Sequence, residues 1–146
     1  MSTSSRFAVA VHILTIMAGA GDEPIKSDQM ASSVNTNPVV IRRILCALAR
    51  AELVTSQKGA TGGSRLARMP DRITLLDVYR AVEGGSVFAL HRQPPSSRCF
   101  IGSNIGTVLT NVSEEVNMAV ESALERTTIE RVLQNIRAYA RGQNIN

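Results

Sequence analysis

The sequence predicts a mainly α fold with a small β wing: a winged helix-turn-helix followed by a long C-terminal helix. Three observations lead there. Two short helix-forming segments, SDQMASSV and PVVIRRILCALAR, are separated by a turn so tight that it matches a helix-turn-helix. Helical period then gives way to alternation on either side of the glycine-rich KGATGG, the pattern of a hairpin. Finally, a long stretch from about Asn104 to Arg126 carries apolar residues three or four apart. Composition agrees: 146 residues, 44% hydrophobic and 19% charged, with three Phe, two Tyr and no Trp, describe one folded domain with an aliphatic, helix-rich core.

The first helix is expected from about Thr3 to Ala18, with Phe7, Val11, Leu14 and Met17 among its inward residues. Its apolar run is interrupted by His12 and Thr15, so the segment reads as an amphipathic helix and not as a signal peptide. GAGDEP ends it. Ser27 is placed as N-cap of a short second helix that stops at Asn35, a residue able to take the left-handed conformation. Ala31 and Val34 face the helix that follows.

That third helix is the most informative part of the chain. Asn37 is a good N-cap, and Pro38 follows at the first helical position, where its missing N–H breaks no helical bond. Ile41, Ile44, Leu45 and Leu48 fall at i, i+3, i+4 and i+7, an apolar stripe that faces a core. The opposite side collects Val39, Arg43 and Arg50, flanked by Val40 and Arg42. Guanidiniums and methyl groups projecting together suit a DNA major groove, where Arg reads guanine edges and small apolar groups touch thymine methyls.

ELVTSQ and SRLAR form the hairpin strands, joined by KGATGG. A basic hairpin directly after a helix-turn-helix is a wing, from which Lys58 and Arg65, with Thr61 at the tip, reach toward phosphates or a minor groove. ITLLDVYRAVEGG gives a fourth helix, with Thr74 as N-cap and Asp77 completing a capping box. Gly84 to Gly102 is a long irregular loop containing Cys99, of a length that is usually functional. In the long helix after it, Ile105, Leu109, Val112, Val116 and Val120 form a stripe with more apolar surface than a small domain can cover, so it is expected to pack against its counterpart in a second subunit. Thr127 or Thr128 starts the last helix, and the tail after Gly142 is expected to fray.

Charge is unevenly spread. The net charge is +4, and residues 1–68 hold eight Lys/Arg against four Asp/Glu, while the remainder balances at eight and eight. The excess lies in the half with the helix-turn-helix, as a polyanionic partner requires. Two cysteines are too few for a disulfide framework and fit a reducing cytoplasm, and no segment reaches the length of a membrane span. An enzyme is disfavoured: the histidines are far apart, no Ser/His/Asp arrangement is recognisable, and no glycine-rich phosphate loop follows a strand. His12, His91 and Cys99 match no metal-site spacing. The competing classes are a winged-helix adaptor for an acidic protein and a regulator answering to a small non-covalent ligand.

Taken in order, helix-turn-helix, wing, ITLLDVYRAVEGG and long helix resemble the Rrf2 family of winged-helix transcription regulators over nearly all of residues 3–136. VNTNPVVIRRIL and the loop FALHRQPPSSRCFIG make it most similar to the YwnA-like branch. The resemblance implies a bacterial homodimer, by expectation a repressor, on a pseudo-palindromic operator in double-stranded DNA. It puts recognition positions at Asn37, Val39, Val40, Arg42 and Arg43 and wing positions at Ser56, Lys58 and Thr61, with Ser27 and Arg65 completing the DNA-contact set. The wing tip GATGGS lacks the Pro and aromatic residue usual in the family. Residues 1–83 then form the DNA-binding region, 84–103 a sensing loop, and 104–146 the dimerisation and C-terminal helices, within one structural domain overall.

Cluster-binding members of the family use three loop cysteines and a further ligand. This loop has one, so no iron–sulfur cofactor is expected. Cys99, with Arg98, Arg92 and His91 nearby in sequence, is instead expected to be a thiol sensor of oxidants or electrophiles, since neighbouring positive charge favours the reactive thiolate. Cys46, on the third helix, is expected to be structural.

Overall fold

Burial of aliphatic side chains organises the described residues into six α-helices and one hairpin. The computed structural model describes residues 4–143. In order these are α1 (Arg6–Ala20), α2 (Ser27–Val34), α3 (Pro38–Arg50), β1 (Val54–Gln57), β2 (Gly63–Leu66), a 3-10 turn at Pro70–Arg72, α4 (Leu75–Val82), α5 (Ile105–Glu125) and α6 (Ile129–Gln143). Thr3, the expected start of α1, and the tail beyond residue 143 lie outside the described residues. Two compact units result: one holds the chain up to Gly84 together with Leu124 onward, and the other spans Gly85–Ala123. The sequence reading grouped α6 with α5; α6 instead belongs to the first unit, against α1.

The core of the first unit is made by Ile13, Leu14 and Met17 of α1, Met30 of α2, Ile41, Ile44 and Leu48 of α3, Val78 of α4, and Leu53, Ile73 and Ile129 from connections and helix starts. Each such side chain, fully buried, stabilises by roughly 1.5–3 kcal/mol. The amphipathic reading of α1 needs correction. Leu14 and Met17 are buried and Phe7 and Val11 pack half-buried against the same core, as expected, but Phe7 and Val11 also reach a second apolar side of the helix that lines a groove with α6. Packing on α3 and α4 on one side and α6 on the other leaves little polar face.

Helix boundaries follow local chemistry. Asn37 caps α3, its Oδ1 accepting the Val40 N–H at 3.1 Å, and Pro38 opens the helix. Asn35 ends α2 in the left-handed region at φ 64°, ψ 51°. One cap differs: Lys26 holds the N-cap position of α2 and Ser27 is its first helical residue. The reason is Gln29, whose Oε1 accepts the Lys26 N–H at 2.9 Å and fixes the helix start one residue earlier. On α4 the reciprocal box is complete, with Thr74 Oγ1 accepting from Asp77 N–H and Asp77 Oδ2 from Thr74 N–H, both at 3.0 Å.

β1 and β2 pair antiparallel in the register Val54↔Leu66 to Gln57↔Gly63. Ile25 then bridges the other edge of β2: its N–H donates to the Ser64 carbonyl at 2.9 Å, and the Ser64 N–H returns to Ile25 at 2.8 Å. The wing is thereby hydrogen-bonded to the segment that enters α2. Glycines are required at its turn back. A Cβ on Gly62 falls 2.2 Å from the Gln57 carbonyl oxygen, and one on Gly63, at φ 151°, falls 2.8 Å from that of Ile25. At the far end, Ile129 N–H donates to Ile73 O and Leu75 N–H to Thr127 O, each at 2.9 Å, tying the start of α6 to that of α4.

In the second unit the loop has turns but no regular element. Its first residues are held on α5, with Ser86 Oγ 2.6 Å from Ser113 Oγ and accepting from Asn117 Nδ2 at 3.0 Å, while Val87 N–H donates to Asn117 Oδ1 at 2.9 Å. Its last residues form a tight turn into α5: Cys99 O accepts the Ser103 N–H and Ile101 O the Ile105 N–H. Among the described residues no helix is long and apolar enough to cross a membrane.

Candidate nucleic-acid interface

The side of α3 opposite its core stripe is open along its length. Val39, Arg43, Cys46 and Arg50 stand at i, i+4, i+7 and i+11, all exposed, in one row. Val39 is 49% exposed, a large methyl surface in water beside a guanidinium. Arg42, about 100° round the helix, faces elsewhere. It lines a polar cleft of about 240 Å³ with Lys26, Ser27 and Asp28 at the start of α2 and Gln57, Gly59, Gly62 and Gly63 of the wing. Neither Arg42 nor Arg43 has a hydrogen bond or ion pair among the described residues, so both are available to an external partner.

Other positions expected at this surface have partial or competing roles. Val40 is half-buried against the core, and the side-chain oxygen Oδ1 of Asn37 is committed to the cap. Ser56 Oγ pairs with Ser64 Oγ at 2.9 Å, and Arg65 Nη2 donates to Gln57 Oε1 at 2.9 Å, so these two stiffen the wing. Lys58 and Thr61 are exposed. Lys26 joins the cleft unexpectedly, because sequence reading placed the α2 start at Ser27. Cys46, expected to be structural, is exposed on the open row. Its spacing of three from Arg43 and four from Arg42 and Arg50 carried that signal.

In the loop, His91, Arg92, Arg98 and Cys99 are all exposed, and Arg98 N–H donates to Ser96 Oγ at 3.2 Å. The α5 stripe is half-buried at Ile105, Leu109, Val116 and Val120, while Val112 is 46% exposed.

Comparison with known proteins decides the family. The Rrf2 family, described as an iron-dependent transcriptional regulator, matches residues 3–135. The chain belongs to the Rrf2 family. This Rrf2 protein is 40% identical over 134 residues to YwnA of Bacillus subtilis (strain 168), an HTH-type transcriptional regulator by name, covering 91% of the chain and 98% of YwnA. It is 26% identical over 136 residues to the regulator IscR of Cereibacter sphaeroides, covering 92% and 87% of the two chains. A crystal structure described as a DNA binding protein superposes with a TM-score of 0.72 at 38% identity, over 88% of this chain and 99% of that one. These relatives agree with the mainly α, winged-helix reading.

The family description raises iron, and the donor set of this chain does not fit a cluster. A thiolate-held cluster needs about four ligands, usually cysteines. Here Cys99 is the only cysteine of the loop unit, Cys46 belongs to α3 in the other unit, and no group of three His, Cys, Asp or Glu stands together among the described residues.

Proposed function

We propose that this Rrf2 protein is a sequence-specific DNA-binding repressor, a homodimer on a pseudo-palindromic operator, switched by modification of Cys99. The observation that carries DNA binding is the open row of α3 beside the wing, with two unpaired arginines aimed in different directions. Arg43, with Val39 one turn before it, is the base reader. Arg42 and Lys26 hold a backbone phosphate in the cleft, while Lys58 and Thr61 extend the contact along the wing. YwnA, similar over nearly its whole length, supports a regulator by its name.

The exposure of α5 supports the dimer: Ser113 is its one buried residue among those described. Two recognition helices then meet half-sites repeating at about 34–36 Å. Cys99 connects to that spacing through the turn it begins. Its carbonyl holds the Ser103 N–H just ahead of α5. When a peroxide oxidises the thiolate, a sulfur–oxygen bond forms as the O–O bond breaks, leaving a sulfenic acid and a hydroxide or alkoxide that takes a proton from water. The larger, more polar group strains the turn and shifts α5, moving the reading heads apart by ångströms and weakening operator binding. Selection of bound duplexes from random DNA with reduced and peroxide-treated protein tests the whole reading. An enriched inverted repeat that is lost on oxidation is expected; recovery of random sequence refutes specific binding.

A further inference from the structure

Gln57, the last residue of β1, is exposed and lines the polar cleft together with Lys26 and Arg42. Directly across the hairpin from it stands Gly63, and Arg65, which pairs with Thr55, lies on the diagonal and on the same face. Because Gly63 has no side chain, the guanidinium reaches over it, and Arg65 Nη2 donates to Gln57 Oε1 at 2.9 Å.

That bond fixes which end of the amide is which. A guanidinium has only donors, so the atom it meets has to be the carbonyl oxygen; a reversed amide would set N–H against N–H. The Nε2 group is then left without a partner among the described residues, with both its N–H donors unspent. The cleft it lines is already suited to an anion, since Lys26 and Arg42 stand there against the carboxylate of Asp28 alone. Lys26 comes from the start of α2 and Arg42 from α3, so Gln57 supplies the donor from the third side, the wing.

We propose that Gln57 is a DNA-contacting residue whose Nε2 donates to the backbone phosphate held by Lys26 and Arg42, and that Arg65 is the positioning residue that keeps its amide in that orientation. The inference rests on the reading of the cleft as a phosphate site and adds the wing's own contact to it. Arg65, expected from sequence to touch DNA itself, acts through Gln57. A phosphate contact carries no sequence information, so this one adds affinity on every duplex alike.

Gln57→Glu tests the donor while sparing the wing, because the substituted carboxylate still accepts from Arg65. Its urea midpoint is expected to be no lower than that of the unaltered protein, whereas its affinity falls about tenfold or more on operator and scrambled duplexes alike. Operators carrying a neutral methylphosphonate at one phosphate per half-site, moved along the backbone, locate the contact. One position is expected to remove most of the Gln57→Glu loss and most of the Arg42→Ala loss together. Arg65→Met is expected to lose about threefold or more, and that loss also disappears at the same position, which a merely loosened wing would not produce. Gln57→Glu protein that binds within about twofold of the unaltered protein overturns the inference, as does a loss that survives at the position silencing Arg42→Ala. An Arg65→Met loss that survives there overturns its role through Gln57. If no position silences Arg42→Ala, the cleft holds no phosphate, and the reading on which the inference rests falls with it.

Discussion

Replacing Arg43 by alanine separates base reading from general attraction to DNA. Arg43 is exposed and unpaired among the described residues, so its removal leaves stability within about 0.5 kcal/mol, and the loss falls on binding. A bidentate contact to guanine is worth about 1–3 kcal/mol of discrimination. A homodimer presents Arg43 twice, so the substitution removes roughly 2–6 kcal/mol, about 30-fold to more than 10,000-fold in affinity for the preferred duplex. Arg42→Ala has a different signature: affinity falls for all duplexes alike, and the slope of log K against log salt decreases by about 0.9 per lost phosphate contact, about 1.8 per dimer. Fluorescence anisotropy on the selected operator and on a scrambled duplex, across a salt series, reads both quantities. If Arg43→Ala preserves the ratio of operator to scrambled affinity and changes only the salt slope, the assignment of Arg43 as base reader is refuted.

Three further outcomes are expected. Gly62→Ala forces a Cβ onto the Gln57 carbonyl, so the wing opens at a cost of about 1–3 kcal/mol in chemical denaturation, with DNA affinity falling alongside; an unchanged denaturation midpoint contradicts the close approach. Thr74→Ala removes the acceptor for Asp77 N–H and is expected to destabilise by about 1 kcal/mol, with Thr74→Ser recovering most of it, measured by urea unfolding. Cys99→Ser abolishes peroxide-induced release of DNA while Cys46→Ser preserves it, by anisotropy before and after oxidant. The opposite result moves the switch onto α3.

Much of the fold was legible because its signals are local. Asn37–Pro38, Asn35 and the Thr74–Asp77 box act through hydrogen bonds within four residues, and each of them appears where its spacing places it. The α3 stripe was legible for the same reason, since helical period alone puts Ile41, Ile44, Leu45 and Leu48 on one side. On α1, Phe7 and Val11 pack against the core as their period places them, but they also line the groove with α6, and period cannot show that a helix is apolar on two sides. Cys46 was misread because free cysteine usually packs as a small hydrophobe, although its place in the row with Arg43 and Arg50 argued otherwise.

The sequence by itself determined the order of the elements, the starts of α3 and α4, the end of α2, and which face of α3 is open, because these depend on residues near one another in the chain. Tertiary structure decided what those elements hold together. Ile25 fastens the wing through a bridge to Ser64, Lys26 and Arg42 come to one cleft with the wing, and α6 returns to α1 to shape the groove. Each of these joins residues distant in sequence, and such pairings are set by how apolar faces are buried and backbone donors satisfied, which no local pattern encodes.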